Sequence, residues 1–355
     1  MTLEELLDHP CAWFVDHACG EIAISSRIRL ARNVAGYPFP ARASGSQKNE
    51  VRQQVLEVLR DTDPFETGLL APTEEMSPFE RQLLFERSLI SREHAELDEG
   101  GAIAVSRDEQ DVVMINEEDH LRLQVVRSGL SLHETWDEMT RLDDALDDKI
   151  DYAFAEPYGF LTCCPSNTGT GMRAGVMLHL PGLALLEEIR PVMRGLNKMG
   201  LAVRGLGGEG SEADGFLFQI SNQITLGKAE EEILDDLNDI VAELIQHEIH
   251  ARARLAENRP NGLRDKVGRA AGVLQNAWEL QSKEALDLLS LVRLGVAMDL
   301  LKLDTPHVIE QLMIEVRPCH LQKLAEKELN PAERDRFRAE WVRSRLADLT
   351  KGPKL

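Results

Sequence analysis

The stretch Ser25-Ser-Arg-Ile-Arg-Leu-Ala-Arg32, SSRIRLAR, alternates in the way of an extended chain. In a strand, Arg27 and Arg29 fall on one face and Ile28 and Leu30 on the other. The apolar face can sink into a core. The other face then carries two guanidinium groups that repel each other unless an anion lies between them. This basic strand sits in an acidic chain of 355 residues, with 61 Asp and Glu against 40 Lys and Arg and a net charge of −21. The remaining sequence must supply a reason for it.

That charge argues against a general nucleic-acid binder, whose phosphate contacts need a basic surface. No apolar run reaches membrane-spanning length. The opening MTLEELLDHP lacks the basic and apolar regions of a secretory signal. The five cysteines form no CxxC pair, so reduced thiols and a cytoplasmic location are expected. A hydrophobic fraction of 43% with 28% charged residues is that of a globular protein.

Along the chain, strand and helix patterns mix up to about residue 258. Helices are expected over 48–60, 78–89 and 131–152. Residues 101–126 read as two strands and a turn. YGFLTCCPSNTGTG reads as a strand and polar loop, after which MRAGVMLHLPGLALL begins a helix with Arg173 at its start. Residues 228–258 carry a helical stripe of Ile233, Leu237, Val241, Leu244 and Ile245, ending at the break ENRPNG. After Gly262 the pattern is helical throughout. Two domains follow: a mixed one over 1–258 and an all-helical one over 260–355.

Two motifs fail on context. Gly205-Leu-Gly-Gly-Glu-Gly210 satisfies GxGxxG, but SEADGFLFQI predicts a strand where a dinucleotide site needs a helix. In QHEIHAR, His247 and His250 are i,i+3, whereas a zinc-binding HExxH needs i,i+4. There is no GxxxxGK[ST].

Four other segments carry charge in strand-and-turn context. Beside Arg27 and Arg29 stands NEEDHLRLQ, where an extended chain puts Glu118, His120 and Arg122 on one face and turns Glu117 away. CCPSNTGTGMRAG brings Arg173 near glycines that permit close backbone approach, and VRGLGGEGSE sets Arg204 beside a turn with Glu209 and Glu212. Singly, each fits a surface ion pair, a solvated edge or a plain turn, and Cys163 fits core packing. Together, clustered arginines with separate carboxylates suit phosphoryl transfer, which depends on positioning and on neutralising phosphate charge.

SSRIRLAR, NEEDHLR, CPSNTGTGMRA and RGLGGEGSE resemble motifs of the phosphagen kinases, the family of creatine and arginine kinases. The resemblance is closer to its bacterial protein-arginine-kinase branch, and it extends through ISNQITLGKAEEEILDDLN and SKEALDLLSLVRLG to ERDRFRA. It implies an α+β fold, with an antiparallel sheet flanked by helices as catalytic domain and a helical C-terminal domain. ATP with Mg²⁺ would be the phosphoryl donor. Arg27, Arg29, Arg122, Arg173 and Arg204 would clamp its phosphates. The nucleotide-contacting segments would be Ser25, Ser26 and Ile28 beside those arginines, then Ala174, Gly175, Val176 and Met177, then Gly205, Leu206, Gly207, Gly208 and Glu209. Glu118 matches the catalytic carboxylate, Glu117 and Glu212 its neighbours, and Cys164 the active-site thiol. Arg334, Asp335, Arg338 and Ala339 match RDxxRA, an allosteric phosphoarginine-binding motif.

The resemblance further implies phosphorylation of arginine side chains in proteins, as a mark for Clp proteolysis in stress responses. A zinc-binding McsA-like activator, a Clp unfoldase and a homodimer would be its partners. The alternatives are a kinase of free arginine or another small guanidino compound, and an inactive phosphoarginine-binding adaptor. The N-terminal helical domain of the metabolite kinases is not seen ahead of the catalytic motifs, which favours the protein substrate. Two positions depart from the family pattern: Ser88 stands where a histidine is usual, and Gly207 where the metabolite kinases have an arginine.

Overall fold

The computed structural model describes residues 1–7, 11, 21–205, 214–305 and 307–353. SSRIRLAR lies within β1 (Ala23–Arg32), and the strands that follow it are β2 (Leu69–Pro72), β3 (Ala102–Val105), β4 (Asp111–Ile115) and β5 (Leu121–Ser128). Next come a short hairpin of β6 (Phe154–Ala155) and β7 (Gly159–Phe160), then β8 (Met172–His179), β9 (Leu201–Gly205) and β10 (Leu217–Asn222). Apart from the hairpin, these form one sheet in the order β2-β3-β4-β5-β1-β8-β10-β9. Every neighbouring pair is antiparallel.

The period-two pattern of β1 works as expected on its apolar side. Ile28 and Leu30 are fully buried and join Leu123, Val125, Ala174 and Val176 in the main core. Burial of each such side chain stabilises the fold by ~1.5–3 kcal/mol. The core is closed by the helices Gly45–Arg60, Leu132–Asp147 and Glu230–Asn258, which present Val55, Met139 and Leu237 among others. Local chemistry starts several helices where they start. Ser44 with Gln47, Ser77 with Glu80 and Asn330 with Glu333 form reciprocal capping boxes that satisfy exposed backbone N–H groups.

The opposite face of the sheet is divided. At one end Val126 and Met177 pack into a second core with C-terminal residues such as Val267, Leu289 and Leu312. At the other end that face is left open above Arg29. Polar contacts tie the C-terminal helices down: Arg293 Nη1 donates to Glu21 O at 2.7 Å, and the buried Glu86 carboxylate accepts from Cys319 N at 3.0 Å and His320 N at 3.1 Å.

Three sequence expectations need correction. Residues 101–126 hold the three strands β3, β4 and most of β5, because the turn after Val105 is tight enough to fit a further reversal. Met172–His179 is a strand, and the helix begins only at Pro181. The buried run Met172, Ala174, Val176, Leu178 packs with a period of two, and proline then supplies the helix start. The C-terminal region also contains a small pair, β11 (Leu301–Lys302) with β12 (Thr350–Lys351), so it is not helical throughout.

Candidate active site

Register decides which charges meet. On β1, Arg29 lies opposite Arg173 of β8 and Gln124 of β5, Arg27 lies opposite Gly175, and Ala31 lies opposite Arg122. Arginines distant in sequence therefore gather on one patch of sheet. A cleft of about 520 Å³ opens there, with Arg29, Arg122, Arg173 and Arg204 on one side and Glu117, Glu118 and Cys164 on the other. Gly175 leaves the floor low, since a Cβ there would meet Gln219 Nε2 at 2.6 Å.

The floor is electrostatically unfinished. Burial, with repulsion from Arg122 and Arg204, pulls Arg27 down to about 10. Burial, with repulsion from Arg27, Arg122 and Arg173, holds Arg29 well below the usual arginine range. Arg173 is lowered by burial and by Arg204. Among the described residues neither Arg27 nor Arg29 has a hydrogen-bonded or ion-paired partner. Half-buried cations gathered without acceptors fit a polyanion.

The other wall is a turn, residues 116–120, between β4 and β5. Because the chain reverses here, the strand-face reading of NEEDHLR does not hold. Glu117 points into the cleft, where both its oxygens take Arg122 Nη1 at 2.7 and 2.8 Å and one accepts the Ser91 hydroxyl. Burial alone would raise its carboxyl, but Arg122 and Ser91 outweigh burial and hold it low. His120 leaves the cleft. It is fully buried, with Nδ1 accepting from Val34 N at 3.1 Å and Nε2 facing Pro38 O at 3.1 Å, and burial brings it down to about 4. Glu118 is raised by burial and by the neighbouring charges of Asp119 and Glu117. It is the carboxylate of the pair most ready to accept a proton.

Cys164 lies beside this turn, its Sγ 3.1 Å from Ser166 Oγ. Cys163, expected in the core, is only half-buried. Asn33 and Asp119, which sequence reasoning missed, join the parts. Asp119 Oδ1 accepts from Cys163 N at 2.6 Å and Asn33 Nδ2 at 2.7 Å, while Asn33 Oδ1 accepts from His120 N at 2.9 Å. The signal available was position alone: Asn33 directly follows SSRIRLAR and Asp119 sits inside NEEDH. Ser166 and Asn167 stand inside CPSNTGTGMRA, whereas Ser91 carries no sequence signal of its own.

The other expected residues divide. Ser25 is buried, and Ser26 is fully buried with its hydroxyl donating to Gly129 O and accepting from Ser131 N, both at 2.9 Å. Ile28, Ala174 and Val176 face the main core, and Met177 the second. Gly205 ends β9. Leu206, Gly207, Gly208, Glu209 and Glu212 lie outside the described residues. Ser88 takes a left-handed φ of 62°, and its carbonyl accepts from Gln124 Nε2 at 3.1 Å beside Arg29. In the C-terminal motif, Arg338 is buried, donating Nε to Val316 O at 2.8 Å and Nη1 to Leu280 O at 2.6 Å and Asp335 Oδ1 at 2.5 Å. Ala339 is in the second core and Arg334 is half-buried. Among the described residues no group of three or more His, Cys, Asp or Glu is placed to hold a metal, and no helix is long and apolar enough to cross a membrane.

Comparison with known proteins identifies the family. Residues 50–251 match the family model for the ATP:guanido phosphotransferase C-terminal catalytic domain. Residues 260–354 match that for the protein-arginine kinase McsB C-terminal domain. The protein-arginine kinase of Halothermothrix orenii is 42% identical over 98% of this chain and 99% of its own. That of Moorella thermoacetica is 46% identical over 92% and 94%. Among solved structures, lombricine kinase superposes with a TM-score of 0.59 at 25% identity, over 66% of this chain and 68% of its own.

Proposed function

The chain belongs to the ATP:guanido phosphotransferases and, within them, to the protein-arginine kinases, and on that premise we propose that it moves the γ-phosphoryl group of ATP onto arginine side chains of other proteins. The observation that carries the reading is the two-sided cleft: a floor of clustered arginines on one side, of which Arg27 and Arg29 have no hydrogen-bonded or ion-paired partner among the described residues, and carboxylates and a thiol on the other. The first side suits a triphosphate and the second a substrate guanidinium.

In this reading Arg27, Arg29, Arg122, Arg173 and Arg204 hold the phosphates. Residues 206–209 complete the nucleotide site by family resemblance. Mg²⁺ would neutralise phosphate charge from ligands that are chiefly phosphate oxygen and water. Glu117, Glu118, Glu212 and Cys164 grip the planar guanidinium and aim one nitrogen at the γ-phosphorus. As the N–P bond forms and the bond from phosphorus to the β,γ-bridging oxygen breaks, Glu118 takes the proton from the attacking nitrogen. The products are ADP and phosphoarginine. A guanidinium holds its proton to a pKa above ~12, so an adjacent carboxylate with raised basicity is what the step needs.

Resting on family resemblance, the finer reading adds a cytoplasmic homodimer built on the helical domain, a McsA-like activator, and delivery of marked proteins to a Clp unfoldase. It also makes Arg334, Asp335, Arg338 and Ala339 a phosphoarginine site. With Arg338 Nε and Nη1 engaged by protein oxygens, such a site would rely on Arg338 Nη2 and on Arg334.

The test is to incubate the full chain with ATP, Mg²⁺ and a disordered basic protein, with free arginine as a competing acceptor. Phosphate located by mass spectrometry at neutral pH should sit on arginine nitrogen of the protein and be lost in mild acid. Acid-stable label on Ser, Thr or Tyr, or label on free arginine alone, overturns the reading.

A further inference from the structure

The carboxylate wall of the cleft has a layer of structure behind it. The Glu117 side chain is only 2% exposed, and a carboxylate so enclosed stays ionised only while donors face it. Two residues provide them. Arg122 Nη1 reaches both oxygens, at 2.8 Å to Oε1 and 2.7 Å to Oε2, and the Ser91 hydroxyl donates to Oε1. Ser91 stands outside the cleft lining, which on this side includes Glu93, Leu97 and Glu117.

Ser91 is itself held in place from both sides. Before it, Leu89 and Ile90 are buried in a third core with Leu84, Ile103 and Met114. After it comes the one-turn helix Arg92–Ala95, which Ser91 caps by accepting from His94 N at 3.0 Å. His94 is fully buried, with Nε2 3.0 Å from Ala102 O of β3. A hydroxyl has a single proton to give. With its oxygen turned to the helix, that proton is directed at Glu117.

The two donors differ in what a nucleotide does to them. Arg122 is among the arginines that hold phosphate in the reading above, so a bound triphosphate competes with Glu117 for its guanidinium. Ser91 is fixed by its own helix and does not depend on the nucleotide. We propose that Ser91 is a positioning residue for the transfer: its hydroxyl keeps Glu117 turned toward the substrate guanidinium while Arg122 is drawn to the nucleotide. The proposal rests on the protein-arginine kinase reading and adds a residue to it. Ser91 touches no reacting atom. It acts through Glu117, so its loss is felt in the grip on the acceptor and not in the grip on ATP.

The test uses the full chain, with ATP and a disordered basic protein as acceptor, and three substitutions that separate the two tasks of the hydroxyl. Ser91→Thr keeps both the cap and the donor. Ser91→Asp keeps an acceptor for His94 N but has no proton to give, and it sets a second carboxylate beside Glu117. Ser91→Ala loses both. Each variant is assayed well below its midpoint of urea unfolding, so that folded chains are compared. For the acceptor, kcat/KM should fall ~10-fold or more in Ser91→Ala, the effect of one hydrogen bond to a charged group. It should fall further in Ser91→Asp and return close to the wild-type value in Ser91→Thr. KM for ATP should be nearly the same in all four proteins. A residue that only caps a helix gives another order, with Ser91→Asp like the wild type and Ser91→Ala impaired, and that order overturns the proposal. So does an unchanged Ser91→Ala, or a loss that appears equally in KM for ATP, while arginine phosphorylation by the wild type stands. A wild-type chain that phosphorylates no arginine overturns the kinase reading and the proposal with it.

Discussion

Arg29 and Arg338 are arginines of opposite condition. Arg338, in the C-terminal helix Pro331–Arg345, has its Nε and Nη1 taken by Val316 O, Leu280 O and Asp335. Arg29, on the cleft floor, has no such partner among the described residues and sits beside three more arginines. Three positions along the same strand, Arg32 is satisfied as fully as Arg338: Asp143 at 2.7 Å, Thr170 O at 2.9 Å, and the Phe160 ring 3.5 Å from its guanidinium carbon. The contrast teaches that a motif arginine is diagnostic of ligand binding only when the fold leaves its donors unengaged. Burial without a partner raises the free energy of the empty protein, and a bound anion recovers it. Burial with a partner holds the fold together.

The largest effect should come from the wall facing the arginines. Glu118→Gln keeps shape and hydrogen bonding but removes the proton acceptor, so kcat should fall at least ~10²-fold. Calorimetry should find ATP affinity nearly unchanged, and loss of ATP binding in this variant would sink the assignment of the two walls.

Next is stability. Arg338→Met leaves two buried carbonyls without donors and should cost about 2–5 kcal/mol in urea unfolding. Arg29→Met should behave oppositely: unfolding without nucleotide unchanged or harder, because a desolvated unpaired charge is gone. ATP affinity should drop in that variant by about 1.5–3 kcal/mol for the lost charged hydrogen bonds. Equal destabilisation by both substitutions would break the comparison. Arg334→Ala is then the cleaner test of phosphoarginine binding, since it touches fewer of these contacts.

Two smaller effects depend on pH. Glu118 is raised by burial, Asp119 and Glu117, so the acid limb of kcat/KM should lie above the ordinary carboxylate range. Asp119→Asn removes a like charge and should move that limb to lower pH; an unmoved limb would mean another group sets it. His120, brought down to about 4 by burial, stays neutral in the fold. Below about pH 6.5 the unfolded chain takes up a proton that the fold refuses, so this component of stability declines as pH falls toward 4 and is constant above 6.5. His120→Gln can still accept from Val34 N and donate to Pro38 O but cannot titrate. The stability difference between wild type and variant should shrink over that window, and a flat difference would contradict the buried, neutral histidine.

Much of the site was legible in four separated segments, because residue types suited to gripping phosphate and guanidinium recur in strand-and-turn context. The legibility failed where direction mattered. The pattern of NEEDHLR suits an extended chain, and only the reversal at residues 116–120 turns Glu117 inward and His120 away. The run after Arg173 suits a helix start as well as a strand, since an apolar run of eight residues is ambiguous without knowledge of what lies on either side. Asn33 and Asp119 give no local signal because their partners are distant along the chain.

By itself, then, the sequence determined the strand at SSRIRLAR, the start of the helices with capping boxes, the acidic character of the chain and the identity of its chemical groups. These depend on neighbours within a few residues or on sums over composition. Tertiary structure alone decided that Arg29 faces Arg173 across one register and Arg122 lies a step away, that Arg32 and Arg338 are engaged, and that Glu118 is raised while Glu117 is held low. A side chain's charge state and availability are set by what desolvates it and what it touches. In a sheet that joins β1 to β5 and β8, those neighbours come from about a hundred residues or more away.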